Sequence, residues 1–153
     1  MEIRVQRQSE SAGKLVNWLH TSLNSTEETA EIKTIQAILG KIEHASLQAA
    51  DIDNGDGWLA KQMPNGFGPV FSITLKQQEY ARRLPSKLAL FHHATSLGGV
   101  ESLIEWRTMT DPGVARGLLR VSVGVEGWED LKADLLRGFG EVLGELEGGE
   151  VEK

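Results

Sequence analysis

Ser96 lies close in sequence to His92 and His93, and a serine beside a histidine and an acid has the parts of a nucleophilic triad. The sharp G-x-S-x-G turn that exposes such a serine is absent, because Ser96 stands in Ala94-Thr95-Ser96-Leu97-Gly98. His92 and His93 are adjacent, so on a strand they point to opposite faces and cannot chelate one metal ion. His44 is too remote in sequence to be placed. Asp51, Asp53 and Asp56 invite a calcium loop. An EF-hand counted from Asp51 needs glycine at its sixth position and glutamate at its twelfth, where Asp56 and Gln62 stand. Gly66-Phe67-Gly68 invites a phosphate loop, but Pro69 has no N–H, Phe71 stands where a glycine is needed and no helix opens there. That segment reads as a turn into a buried strand. Arg120 is a lone guanidinium among apolar strand residues, and its type alone leaves a surface salt bridge open.

The 153 residues suffice for one domain with a core, with 40% hydrophobic and 25% charged residues. A net charge of -6 gives no basic face for nucleic acid. The acidity gathers at residues 27–31 and 141–152, which read as solvated segments. Without cysteine there is no disulfide, thiolate metal site or thiol nucleophile. No apolar run reaches the roughly 20 residues of a membrane span. The first residues, Met1-Glu2-Ile3-Arg4-Val5-Gln6-Arg7, hold no apolar signal core. A soluble, cytoplasmic protein is expected.

The elements that must position any site follow from periodicity. Ala12, Leu15, Val16, Leu19 and Leu23 recur at helical spacing, so a helix is expected over 9–23, capped by Ser9 or Ser11. Residues 24–34 are polar and read as an acidic loop, and 35–39 are ambiguous. Strands are expected over 41–47, 70–75, 88–92, 101–106 and 118–123. Residues 51–57 read as a loop and 58–63 as a helical turn. A helix over 77–84 is expected to stop at Pro85. A last helix runs from Trp128 to about Leu146, with Gly138, Gly140 and Gly144 expected to fray its far half. The sum is an α+β two-layer domain, with a mostly antiparallel sheet of four or five strands and helices on one face.

One stretch is distinctive. Ser96-Leu97-Gly98-Gly99-Val100-Glu101-Ser102-Leu103-Ile104-Glu105 is followed by Leu119-Arg120-Val121-Ser122-Val123-Gly124-Val125-Glu126, then Trp128-Glu129-Asp130-Leu131. This ordered pair resembles the C-terminal signature of the Cys/Met-metabolism enzymes that use pyridoxal phosphate (PLP), the trans-sulfuration family. Residues 4–19 are similar to that family's linker helix, and Gly66-Phe67-Gly68 to its lead-in to a strand. Met63-Pro64-Asn65-Gly66-Phe67 and Ile104-Glu105-Trp106-Arg107 look most like the fungal cystathionine γ-synthase-like branch.

The resemblance implies that residues 1–146 form the C-terminal small domain of such an enzyme, with 1–23 as linker helix and 147–153 as an acidic disordered tail. It implies elimination or replacement on a sulfur amino acid, with PLP as electron sink. Arg120 matches the arginine that binds the substrate α-carboxylate, a task suited to its two parallel N–H donors. Ser96 matches a serine beside that carboxylate, with Leu97 next to it, although a turn-capping role for Ser96 stays open. The PLP lysine, in a Ser-x-Thr-Lys context, belongs to the family's large domain, so this chain alone is expected to be inactive. The expected partners are that large domain or a full-length relative, within a homo-oligomer. An orphan module that docks onto a full-length relative is the competing reading, and a bare carboxylate-binding domain ranks last. Many relatives continue Ile-Glu with His-Pro and Met-Thr-His, whereas here the chain runs Glu105-Trp106-Arg107-Thr108-Met109-Thr110-Asp111, one residue shorter, which alters the expected substrate entrance.

Overall fold

Helix α1 (Glu2–Leu23) opens the chain and buries Ala12, Leu15, Val16 and Leu19 along one stripe. It starts earlier than its capping residues suggest. Ser9 and Ser11 lie inside it and are buried, so neither caps. The computed structural model describes residues 1–49, 52 and 57–148. The loop expected at 51–57 and the tail expected at 147–153 therefore lie mostly outside the described residues, although Glu147 still belongs to the last helix.

Helix α2 (Ala30–Ile38) corrects the reading of 24–34 as a loop. Thr29 Oγ1 accepts from the Ile32 N–H at 3.3 Å, and Ile35 and Ile38 turn into the core. The polar run 24–29 that leads into it, with Glu31, Lys33 and Thr34 among its own residues, hid the helix. Strand β1 (Leu39–Glu43) follows directly, and Ala45–Leu47 is a single 3-10 turn, so the strand expected over 41–47 lies further upstream. Helix α3 (Trp58–Gln62) and strand β2 (Val70–Leu75) match the expected positions.

Helix α4 (Gln78–Lys87) runs through Pro85, where it was expected to stop. Proline forfeits one backbone hydrogen bond, but only Ser86 and Lys87 follow it, and Leu84 and Pro85 are buried. Strand β3 is only His92–His93. The rest of the strand expected over 88–92 does not form, because the N–H groups of Ala89 and Leu90 go to the Asp134 carboxylate instead of a neighbouring strand. Strands β4 (Leu103–Trp106) and β5 (Leu118–Ser122) complete the sheet. Helix α5 (Trp128–Glu147) shows no break at its glycines, since Phe139, Val142 and Leu143 bury the half expected to fray.

The sheet order is β1-β2-β5-β4-β3, antiparallel except for the short parallel pair of β3 with β4. Helices α1, α2 and α4 lie against it, and α5 packs on all three. The expected two-layer α+β class is the observed one. Strand β2 alternates strictly, burying Phe71, Ile73 and Leu75 beneath the helices. By the strand pairing, Leu119, Val121 and Ile104 share that face. The opposite residues, Glu43, Ser72, Arg120 and Glu105, form one row across four strands on the face the helices leave open.

Candidate functional site

Strand β5 is central in the sheet, and Arg120 occupies its middle with Ser72 on one side and Glu105 on the other. Period-two alternation puts this side chain opposite the core, because Leu119 and Val121 point inward. Its Nη2 forms an ion pair with Glu105 Oε2 at 2.9 Å and donates to the carbonyls of Thr95 and Ser96, the latter at 3.2 Å. Nε and Nη1 have no hydrogen-bond partner among the described residues. Either two-pronged grip of a guanidinium on a carboxylate uses Nη2, so a carboxylate bound that way must displace one of these contacts.

Ser96 reaches Arg120 through its backbone carbonyl and not its hydroxyl, and both Ser96 and Leu97 are exposed. The structure thus brings Ser96 and Arg120 together by main chain, whereas Leu97 has no polar part in the site. The loop turns at Gly98, whose φ of +74 suits glycine, and the Gly98 N–H is held at 3.0 Å by Ser122 Oγ from the next position along Arg120's face. Buried Ser102 holds the loop's far end. It accepts from the Gly124 N–H at 2.8 Å, and its own N–H and hydroxyl both go to Glu126, each at 2.8 Å. Ser102, Ser122 and Glu126 of the signature therefore clamp the loop.

Gln8 was not singled out from the sequence. From α1 its Nε2 donates to Gly99 O at 2.6 Å and Val123 O at 3.0 Å, and it is 1% exposed. Gln8→Leu leaves both carbonyls without this donor. A loss of about 2 kcal/mol in unfolding free energy is expected by denaturant titration. Glu105, Arg107 and Thr110 were also missed as site residues. A carboxylate between Ile104 and Trp106 on an apolar strand was the available signal, and Glu105 is 2% exposed. Beside it opens a cavity of about 260 Å³ lined by His93, Ala94, Thr95, Glu105, Trp106, Met109 and Thr110.

His44 sits elsewhere, with Nδ1 accepting from the Ser46 N–H at 3.3 Å and Nε2 bonded to Gly68 O at 3.1 Å. Burial lowers its pKa against the opposing pull of the Gly68 and Phe67 carbonyls. It ties the 3-10 turn to the Gly66-Phe67-Gly68 segment and lies apart from Arg120. Among the described residues no group of His, Asp or Glu is arranged for a metal ion, and no helix is long and apolar enough to cross a membrane.

A sequence profile of the Cys/Met metabolism PLP-dependent enzymes matches residues 1–140. The chain belongs to that family. Cystathionine gamma-synthase of Escherichia coli is 40% identical over 116 residues, which are 68% of this chain and 29% of that protein. Cystathionine beta-lyase of Coxiella burnetii is 30% identical over 88% of this chain and 33% of its own length. Among solved structures, cystathionine gamma-lyase from Lactobacillus plantarum, complexed with L-serine, matches 92% of this chain with a TM-score of 0.67 and 31% identity. A methionine gamma lyase from Micromonospora echinospora matches 90% with the same TM-score and 28% identity. This family member spans about a third of the length of those relatives and their structures.

Members of the family depend on PLP. An aldehyde cofactor needs an amine to hold it, and no lysine lines the cavity beside Arg120. Lys14, Lys33, Lys41, Lys87 and Lys132 are instead paired with Glu10, Glu28, Glu43, Glu145 and Glu31. The described residues around Arg120 do not fit PLP.

Proposed function

We propose that this chain acts as the C-terminal small domain of a PLP-dependent trans-sulfuration enzyme, in which Arg120 binds the α-carboxylate of a sulfur amino acid. The cofactor would be held by the large domain that the longer relatives carry. The observation that carries this reading is the placement of Arg120. It lies at the centre of the sheet's open face, with only Nη2 engaged and a cavity beside its partner Glu105. A partly buried guanidinium with unused donors is a strong carboxylate receptor, and fixing that carboxylate fixes the amino acid's Cα relative to whatever reacts with it. The Ser96–Gly99 loop adds backbone around the same point, and Gln8, Ser102 and Ser122 hold the loop in place.

Arg120→Lys, in an enzyme that joins this chain to a PLP-binding large domain, is expected to cost about 1.5–3 kcal/mol in kcat/KM for cystathionine. Lysine keeps the charge but cannot form the two-pronged grip. Unchanged kcat/KM would remove Arg120 from the substrate site. The chain by itself is expected to turn over no cystathionine, and normal turnover by it would overturn the division of labour between two domains.

A further inference from the structure

We propose that Arg107 is a positioning residue that keeps Arg120 available to a carboxylate by sharing Glu105 with it. This rests on the reading of Arg120 as the carboxylate site. The Glu105 side chain is only 3% exposed, yet it serves three donors. Oε2 lies 2.9 Å from Arg120 Nη2, and Arg107 Nη1 spans both oxygens at 3.1 and 3.2 Å. Thr110 Oγ1 donates to Oε1 at 2.9 Å. Two guanidinium groups thus face one buried carboxylate, and the cluster keeps one positive charge in excess.

That excess matters in two ways. With Arg107 present, Glu105 neutralises only part of the cluster, so an arriving carboxylate meets net positive charge. A ligand that takes Nη2 from Glu105 also leaves Glu105 with Arg107 and Thr110, so no buried carboxylate is stranded. Without Arg107, Glu105 and Arg120 form a closed neutral pair. Opening that pair would leave Glu105 with one hydroxyl donor. Arg107 therefore acts on a ligand it does not touch. It arises at the place where the chain departs from the His-Pro continuation of its relatives, so it bears on the altered entrance.

The test uses the full chain and sodium acetate as probe, with sodium chloride at equal ionic strength as control. The Arg120 side-chain Nε–H resonance is followed by NMR. Arg107→Gln is expected to weaken acetate binding at Arg120 by about fivefold, the lower end of coupling between sites. Arg107→Lys, which keeps the charge, should stay near wild type. The double variant Glu105→Gln/Arg107→Gln should recover to within about twofold, which a loss of folding could not produce. Wild-type affinity in Arg107→Gln, or no recovery in the double variant, overturns the proposal. If wild-type Arg120 ignores acetate altogether, the carboxylate reading of Arg120 fails by itself. The role of Arg107 is then read in the ligand-free spectra. Slower rotation about the Arg120 Nε–Cζ bond in Arg107→Gln supports it, and unchanged rotation overturns it.

Discussion

Gly124→Ala is expected to lower the unfolding free energy by about 3 kcal/mol in a urea titration, the upper end for overpacking. A Cβ built at Gly124 would strike the Val100 carbonyl oxygen and lie 2.6 Å from the Glu101 carbonyl carbon. Both are backbone atoms and cannot swing aside as a side-chain tip would. The site is also pinned on either flank. The Gly124 N–H donates to Ser102 Oγ at 2.8 Å, and the Val125 N–H to Val100 O at 2.9 Å. Relief therefore requires the Gly99–Ser102 segment to move away from the end of β5, and with it the loop that carries Ser96 to Arg120. Gly140→Ala is the control of opposite sign. Gly140 is exposed in α5 with no atom near a new Cβ, so alanine there should raise stability by about 1 kcal/mol. If both variants moved the urea midpoint alike, the close approach at Gly124 would not be the cause.

The same loop shows what the sequence could and could not reveal. Its residues stand consecutively in the chain, so their order pointed to the family and to Arg120. Their mechanical roles depend on pairings between distant segments. Gln8 meets Gly99 and Val123 only once α1 lies across the loop. Glu105 meets Arg120 only through the β4–β5 register, which periodicity does not set. The period-two pattern of 70–75 and the helical stripe of α5 were legible because each buries one face of one element. Helix α2 was not, since a polar run leads into it and its buried apolar stripe is only Ile35 and Ile38. Pro85 misled for a related reason. The local rule forbids it within a helix, but the burial of Leu84 and Pro85 outweighs one missing bond. The residues 88–91 look like a strand by composition, and only the carboxylate of Asp134, far along the chain, shows where their N–H groups go.

That carboxylate sets the second large effect. Asp134→Ala is expected to cost about 3 kcal/mol, because two backbone donors lose an ionised acceptor at once. Asp134 is 6% exposed and accepts from the Ala89 N–H at 2.9 Å and the Leu90 N–H at 2.8 Å, with Arg137 Nη2 at 2.6 Å. Burial pushes its pKa up, but the two backbone N–H groups and the Arg137 guanidinium outweigh burial and hold it below the usual aspartate value. A carboxyl whose pKa is depressed in the folded state stabilises the fold above its unfolded pKa, about 3.9, and loses that contribution as pH falls through the folded value. Asp134→Asn keeps one carbonyl acceptor but no charge, so at pH 7 it should fall between wild type and Asp134→Ala. The gap between wild type and Asp134→Asn should then hold steady down to about pH 5 and shrink below about pH 4. Thermal unfolding of the two proteins across that range reads the gap directly. A gap that stays constant down to pH 2.5 would mean that the charge on Asp134 contributes nothing to holding the segment between α4 and β3.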